Sequence, residues 1–508
     1  MLYRRRELVV GGIAWTGALA LGPSFWRQAL ASTPAAPGPG PYGPLGAADA
    51  NGLRLPAGFK SRVVARGSTL VANTAYQWHA FSDGAATFAT EDGGWILVSN
   101  SEVPGGQGGA SAIRFGADGT IRDAYRILGG TNTNCAGGPT PWGTWLSCEE
   151  VDNGRVWECD PTGQKEPVVH PALGVFKHEA VCVDPDDGRL YLTEDIGDSG
   201  LYRFTPRAYP SLRDGVLEIA AVRPNGFVDW RRVPDPLKPP IRKQVPGYTL
   251  FRRGEGIWFD SGVVYVATTS DDRVYTYDTI TERLSILYNG KELGAKAPLH
   301  EVDNVTVAKR SGDIYVSEDA DDLNICLITP EREVAAFMQA TGSEHNVTKE
   351  TRSEITGPAF DPSGTRLYFS SQRAFGPGVI YEVTGPFRRE SRDVLVPDLR
   401  LDVPSAAALP TVRARGLLVA VRSPEPASIT VALRAVVGGR KRTLARTTGR
   451  LDKRGTLRLR LRLTRSGRTA IRTRRSLATT VSARAVDGSG NSRTVVEPVR
   501  LRAATRAR

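Results

Sequence analysis

One phrase recurs six times along this chain. It is a glycine, then several β-branched, aromatic or leucine residues, then a polar end that is usually acidic. The copies are Gly94-Trp-Ile-Leu-Val-Ser-Asn-Ser-Glu102, Gly143-Thr-Trp-Leu-Ser-Cys-Glu-Glu150, Gly188-Arg-Leu-Tyr-Leu-Thr-Glu-Asp195, Gly262-Val-Val-Tyr-Val-Ala-Thr-Thr-Ser-Asp271, Gly312-Asp-Ile-Tyr-Val-Ser-Glu-Asp319 and Gly364-Thr-Arg-Leu-Tyr-Phe-Ser-Ser-Gln372. Their glycines lie 49, 45, 74, 50 and 52 residues apart. A period near 45 to 50 residues with several short strands per unit is the signature of a β-propeller. Turns such as Asp184-Pro-Asp-Asp-Gly188 and Asp361-Pro-Ser-Gly364 open the copies, with glycine supplying the positive φ such turns need. A further strand closes each unit, as in Arg273-Val-Tyr-Thr-Tyr277. No amphipathic helix interrupts the pattern. The expected fold is all-β: a six-bladed β-propeller over residues 56–392. The long interval holds a Pro- and Arg-rich stretch, residues 206–244, expected as a surface loop or lid rather than part of a blade.

In a propeller, equivalent strand ends converge on one channel. The phrase then predicts that Glu149, Glu150, Glu194, Asp195, Glu318 and Asp319 crowd one mouth. Like charges so close are costly unless cations neutralise them, and several hard oxygen donors favour calcium or a similar ion. A single strand-end acid is ordinarily a solvated turn residue. Three acidic pairs in register favour a metal.

The ends of the chain carry other information. Arg4-Arg-Arg-Glu-Leu-Val-Val10 precedes an apolar run, residues 11–21, and Ala29-Leu-Ala31 offers small residues for cleavage. Residues 1–31 therefore read as a twin-arginine-type export signal, and the Pro-, Gly- and Ala-rich residues 32–55 as a disordered linker. Residues 401–508 carry 25 Lys+Arg against 5 Asp+Glu, a net +20, which leaves −8 on the preceding 400 residues. Period-two alternation in Thr456-Leu-Arg-Leu-Arg-Leu-Arg-Leu463 predicts a small, basic β-sandwich-like domain over residues 400–508, with a turn at Asp487-Gly-Ser-Gly-Asn491. Arginine without interleaved aromatics is a poor nucleic-acid signature, so no nucleic-acid partner is expected. An anionic cell surface is a possible contact for that basic face. The chain has five cysteines, an odd number, so at least one thiol is unpaired or pairs between chains. Cys148 and Cys182 sit in apolar strands and read as core. Cys135 sits in the glycine-rich Asn134-Cys-Ala-Gly-Gly-Pro-Thr-Pro141, and reads either as a thiolate that the loop brings close to another group or as a buried free thiol.

Taken together, several segments resemble the PhoX family of bacterial secreted alkaline phosphatases. They are Asn134-Cys-Ala-Gly-Gly-Pro-Thr-Pro141 running on to Glu150, Phe176-Lys-His-Glu-Ala-Val-Cys182, Tyr191-Leu-Thr-Glu-Asp195, Arg253-Gly-Glu-Gly-Ile-Trp258, Asp303-Asn-Val305, Ser317-Glu-Asp319 and Ser353-Glu-Ile-Thr-Gly-Pro358. The resemblance spans residues 76–386 and implies an iron pair and calcium at one end of the channel, hydrolysing phosphate monoesters outside the cytoplasm. It implies Cys135 and Glu179 as iron ligands, and Arg253 and Glu255 flanking the substrate phosphate, with Glu255 also touching calcium. Glu194, Asp195, Asp303, Asn304, Glu318 and Asp319 are the implied calcium shell. The chemistry agrees: phosphoryl transfer needs positioning and charge neutralisation, and a guanidinium fork suits phosphate oxygens. His178 and His300 are expected as structural histidines. The chain departs from the family at Asn100-Ser-Glu102, where Asn-His-Glu is frequent, at Ser317, where cysteine is common, and after Gln372, where Arg-Ala-Phe-Gly-Pro377 replaces a shorter turn.

Two other readings use the same residues. A calcium-dependent propeller hydrolase of lactones or phosphotriesters needs the acids but neither Cys135 nor Arg253. A non-catalytic binding propeller needs calcium only for structure. The expected partners are a phosphate monoester and the twin-arginine export machinery, with the chain a monomer.

Overall fold

The computed structural model describes residues 33–319, 322–345, 353–389, 399–472, 474–487 and 492–503. The export signal expected over residues 1–31 lies outside them. Among the described residues no helix is long and apolar enough to cross a membrane. The chain divides into two compact units, one built mainly from residues 34–392 and one from residues 393–508.

The first unit is a β-propeller of six sheets, here numbered as blades 1 to 6. Each repeated phrase is the second strand of one blade: Trp95–Ser101, Trp145–Glu149, Leu190–Glu194, Val263–Thr268, Asp313–Glu318 and Arg366–Ser371. The preceding strand is innermost. These inner strands are Ser82–Ala89, Asn134–Pro139, His178–Val183, Gly254–Asp260, Val302–Ala308 and Ile355–Phe360. They neighbour one another in a closed cycle. Small residues allow that approach. A side-chain carbon on Gly84 would come within 2.5 Å of the Ala136 Cα, and one on Gly256 within 2.6 Å of the Asn304 Cα. The ring is closed by Lys60–Arg66, which pairs with Val379–Thr384 as the outer strand of blade 6. Each inner strand is the terminal strand of its sheet, and the closed ring turns these short edges onto one channel, where they are protected.

Two expectations are corrected. Residues 206–244 are largely blade rather than loop: Tyr202–Ala208, Ser211–Val222 and Val228–Arg232 are the third, fourth and fifth strands of blade 3. Pro206 and the charged residues sit on outer strands, where one face is solvated and period-two apolar patterning is weak. Residues 233–253 then return to the blade through a short helical turn, Ile241–Gln244. The linker is ordered from Thr33 onward. Ala36–Pro37 and Leu53–Pro56 pair with Glu333–Ala340 at the edge of blade 5, and Ala35 and Leu53 are buried. A few buried residues suffice to hold an edge strand, so its Pro/Gly-rich composition concealed it.

The second unit has a three-stranded sheet and a five-stranded sheet. They enclose an aliphatic core that includes Val419, Val421, Ile429, Val431, Leu433 and Val481. In Gly455–Leu461 the leucines turn inward and Arg458 and Arg460 outward. The expected turn at residues 487–491 falls mostly outside the described residues, but the strands flanking it, Ser476–Val486 and Ser492–Arg502, are paired.

Candidate metal centre

Three registers repeated around six blades build the site. In the first register, the second residue of each inner strand in blades 1 to 6 is Asp83, Cys135, Glu179, Glu255, Asp303 and Thr356. In every blade the inner strand carries one extra residue just beyond this point relative to its partner. Such β-bulges re-aim a side chain. The second register is the residue after the repeated strand: Glu102, Glu150, Asp195, Thr269, Asp319 and Gln372. The third is the residue before the inner strand: Phe81, Thr133, Lys177, Arg253, Glu301 and Glu354. Four of these, Phe81, Thr133, Arg253 and Glu301, have positive φ between 41° and 51°. This strained left-handed conformation turns the chain sharply where it joins the ring.

Among the described residues three groups of donors result, each with ligand atoms within 4.8 Å of one another: Glu102–Cys135–Glu150, Asp83–Glu102–Glu354 and Glu179–Glu255–Asp303. Glu179 is fully buried and neither of its carboxylate oxygens has a hydrogen-bond partner; Asp303 Oδ2 is likewise buried and unpartnered. Buried carboxylate oxygens are normally satisfied, so these atoms could hold a cation. Oxygen-only donors suit a hard ion such as calcium, and a thiolate beside carboxylates suits iron. The residues therefore fit the metals that the sequence implied.

Three cations stand among the acids. Arg253 Nε lies 2.8 Å from Asp195 Oδ1, and its Nη2 lies 3.0 Å from Glu255 Oε1 and 3.4 Å from Asp319 Oδ2. Lys177 Nζ lies 2.7 Å from Glu150 Oε1 and 3.3 Å from Asp195 Oδ2. Arg373 pairs with Glu354 and Glu102. Against them stand nine carboxylates, so without metal the site is under-neutralised. Burial, with Glu102 adding to it, pushes Asp83 up to about 7 and Glu150 up to about 8. Burial and then neighbouring carboxylates hold Glu179, Glu255, Asp303 and Glu354 well above the usual range. The Cys135 thiol is raised in the same way. Asp195 is the exception: burial raises it, but the Arg253 hydrogen bond and charge outweigh burial and hold it low.

A family model described as Alkaline phosphatase PhoX matches residues 103–158 and 151–374. The chain belongs to the PhoX alkaline phosphatase family. It is thus an alkaline-phosphatase-like phosphoesterase of a metal-dependent kind. Pseudomonas fluorescens PhoX, solved in complex with vanadate, a transition-state analogue, is similar in fold. It is 17% identical with a TM-score of 0.54, over 70% of this chain and 97% of that one. The RRP9 WD40 repeats (11% identity, TM-score 0.38, 68% of this chain and 100% of that one) and the nidogen/laminin complex (14%, 0.34, 55% and 93%) are more distant and carry no argument. No curated protein matches the chain.

Within this PhoX propeller, Cys135, Glu179, Asp195, Arg253, Glu255, Asp303 and Asp319 are gathered at the mouth. Glu194 and Glu318 are not. Glu194 accepts hydrogen bonds from Tyr202 Oη at 2.6 Å and Arg242 Nη1 at 2.7 Å. Glu318 accepts from the backbone N–H of His300 at 2.9 Å and Asn324 at 2.8 Å. Glu149 is equally engaged, by Asn132 N and Trp157 Nε1. Adjacent strand residues point to opposite faces, so the first acid of each pair turns into the blade and the second faces the channel. Asn304 braces the ring: its amide donates to Asp303 Oδ1 and accepts from Gly357 N, each at 2.7 Å. His178 hydrogen-bonds to the Gly174 carbonyl and packs on Phe176. All five cysteines are free.

The repeated phrase placed Glu150 at the mouth, but the sequence reading missed Asp83, Glu102, Lys177, Glu354 and Arg373 as site residues. Asp83 had a signal, since it stands in Ser-Asp-Gly ahead of the first copy as Glu255 stands ahead of the fourth. Asn100 ties the first two blades together. Its Nδ2 donates to the carbonyls of Cys135 and Ala136, which fixes the strand that presents the thiol. The other end of the channel opens into a cavity of about 1520 Å³ edged by Phe88, Trp258 and Phe360, away from the acids.

Proposed function

We propose that this protein is an exported phosphomonoesterase that uses iron and calcium at the acidic mouth of the propeller. The observation that carries this reading is the buried, partnerless Glu179 carboxylate beside Glu255 and Asp303, one strand from Cys135. Cys135, Glu102 and Glu150, with Glu179 beside them, would hold iron. Glu179, Glu255 and Asp303, with Asp195 and Asp319 at the rim, would hold calcium. When bound, these metals supply Lewis-acid neutralisation of the phosphate and of the attacking oxygen.

The chain's own residues supply binding and orientation. Arg253 presents a planar fork suited to two phosphate oxygens. Asp195, Glu255 and Asp319 hold it in place. Lys177 adds a second positive charge on the same side. Because Asp195 contacts both, it fixes the spacing of the two cations, which is the positioning that phosphoryl transfer demands. The inner strands carry that geometry. The basic second unit is a surface for an anionic cell envelope, and the residues 1–31 signal exports the folded protein.

The test is release of phosphate from an aryl phosphate at alkaline pH by natively exported protein whose iron and calcium have been measured. No release from metal-loaded protein overturns the reading. Turnover of lactones or phosphotriesters that survives Arg253→Ala would favour a different calcium-dependent hydrolase.

A further inference from the structure

The three acidic groups are not equivalent. Glu179 receives no hydrogen bond from the protein. The three carboxylates of Asp83–Glu102–Glu354 are instead all met by two consecutive residues, Gln372 and Arg373. Gln372 Nε2 donates to Asp83 Oδ2 and, at 2.8 Å, to Glu102 Oε2. Arg373 Nη2 lies 3.3 Å from Glu102 Oε2, and its Nη1 pairs with Glu354 Oε1. The arginine is well anchored: its backbone N–H donates to Ser353 Oγ at 3.0 Å and its guanidinium lies 5.9 Å from the centre of the Phe81 ring. Gln372 is fully buried, and its Oε1 has no partner. Three carboxylates with a spare amide oxygen beside them are a donor set for a hard cation, yet a guanidinium already spans two of the three. Arg373 opens the segment after the sixth copy, where the chain carries Arg-Ala-Phe-Gly-Pro377.

We propose that Arg373 is a resident cation that takes the place of a metal ion at Asp83–Glu102–Glu354. Its charge is covalently fixed, and its planar fork spreads over two carboxylates. Glu102 also belongs to the Cys135 group, so Arg373 sets the orientation of an acid shared between the two. This rests on the reading that the other two groups hold metal.

The test compares wild type, Arg373→Met, Arg373→Lys and Glu354→Gln, each stripped and reloaded with iron and calcium. Bound calcium is counted by elemental analysis and calorimetric titration, and thermal midpoints are read with and without calcium. Arg373→Met is expected to bind one more calcium per chain than wild type and to show a larger calcium-dependent rise in midpoint. Arg373→Lys is expected to keep the wild-type count. A folded Arg373→Met with unchanged calcium, or an equal gain in Arg373→Lys, overturns the proposal. Should Arg373→Met not fold, Glu354→Gln decides: unchanged calcium supports a group that takes no ion, and loss of one calcium overturns it. The comparison is between variant and wild type. A wild type without metal or phosphatase activity would therefore refute the functional reading while leaving this one to be judged by its own difference.

Discussion

Glu194 and Asp195 are consecutive, yet they serve opposite faces of one strand. Glu194 is buried between Tyr202 and Arg242, while Asp195 meets Arg253 and Lys177 at the channel mouth. Substituting the two should separate stability from catalysis. Glu194→Ala leaves Arg242 with Asp198 as its remaining carboxylate and Tyr202 Oη without its acceptor, and is expected to cost about 1–3 kcal/mol of stability. Asp195→Asn should leave the melting temperature nearly unchanged and lower kcat/KM by about 10- to 100-fold through lost positioning. Thermal melts and aryl phosphate kinetics on both variants check this.

Glu179→Gln should move metal-free stability and activity in opposite directions. The neutral amide keeps the shape of the side chain but removes a carboxyl group held protonated among other acids. Metal-stripped Glu179→Gln is expected to melt no lower than stripped wild type. Reloaded, it should lose more than the 10- to 100-fold typical of outer-shell changes. A stripped variant markedly less stable than stripped wild type would count against a metal-facing role for Glu179.

Cys135→Ser should distinguish the metals. The thiol is the single sulfur donor in its group, so iron should fall and any visible thiolate-to-iron absorption should vanish, while calcium stays at its wild-type count. Elemental analysis and an absorption spectrum suffice. Loss of calcium in parallel with iron would mean that the two sets of donors form one inseparable site.

Metal-free protein should weaken as pH rises. Unfolded carboxyl groups release their protons near pH 4, whereas folded Asp83 and Glu150 keep theirs to about 7 and about 8. Between these limits the unfolded state binds fewer protons, so stability falls with increasing pH. The loss should be on the order of several kcal/mol between pH 4 and 9. Because metal binding requires the deprotonated ligands, calcium should rescue the protein most at alkaline pH. Melting curves of chelated and calcium-loaded protein at pH 5 and pH 9 measure both trends. A chelated protein more stable at pH 9 would contradict them.

Much of this arrangement is written locally. The six glycine-led phrases mark the second strand of each blade because turn chemistry and strand patterning act over fewer than ten residues. Cys135, Glu179, Glu255 and Asp303 are legible through the resemblance to the PhoX family, whose motifs are equally local. The inward turn of Glu194 and Glu318 is a matter of strand parity. Parity alone does not say which face is the channel until the strand is placed in its blade. Strands 211–222 and 228–232 were hidden because outer strands tolerate proline and charge.

What the amino-acid sequence determines by itself is therefore the repeating strand unit, the acid at its end and the family to which those phrases belong. Only the tertiary structure decides which acids meet. Ring closure through Lys60–Arg66 and Val379–Thr384 brings blade 6 against blade 1. It thereby places Glu354 and Arg373 beside Asp83 and Glu102, roughly 270 residues away in the chain. Local propensity fixes each strand and its register. The charge balance of the mouth arises from side chains on different blades, and it exists only once the ring is closed.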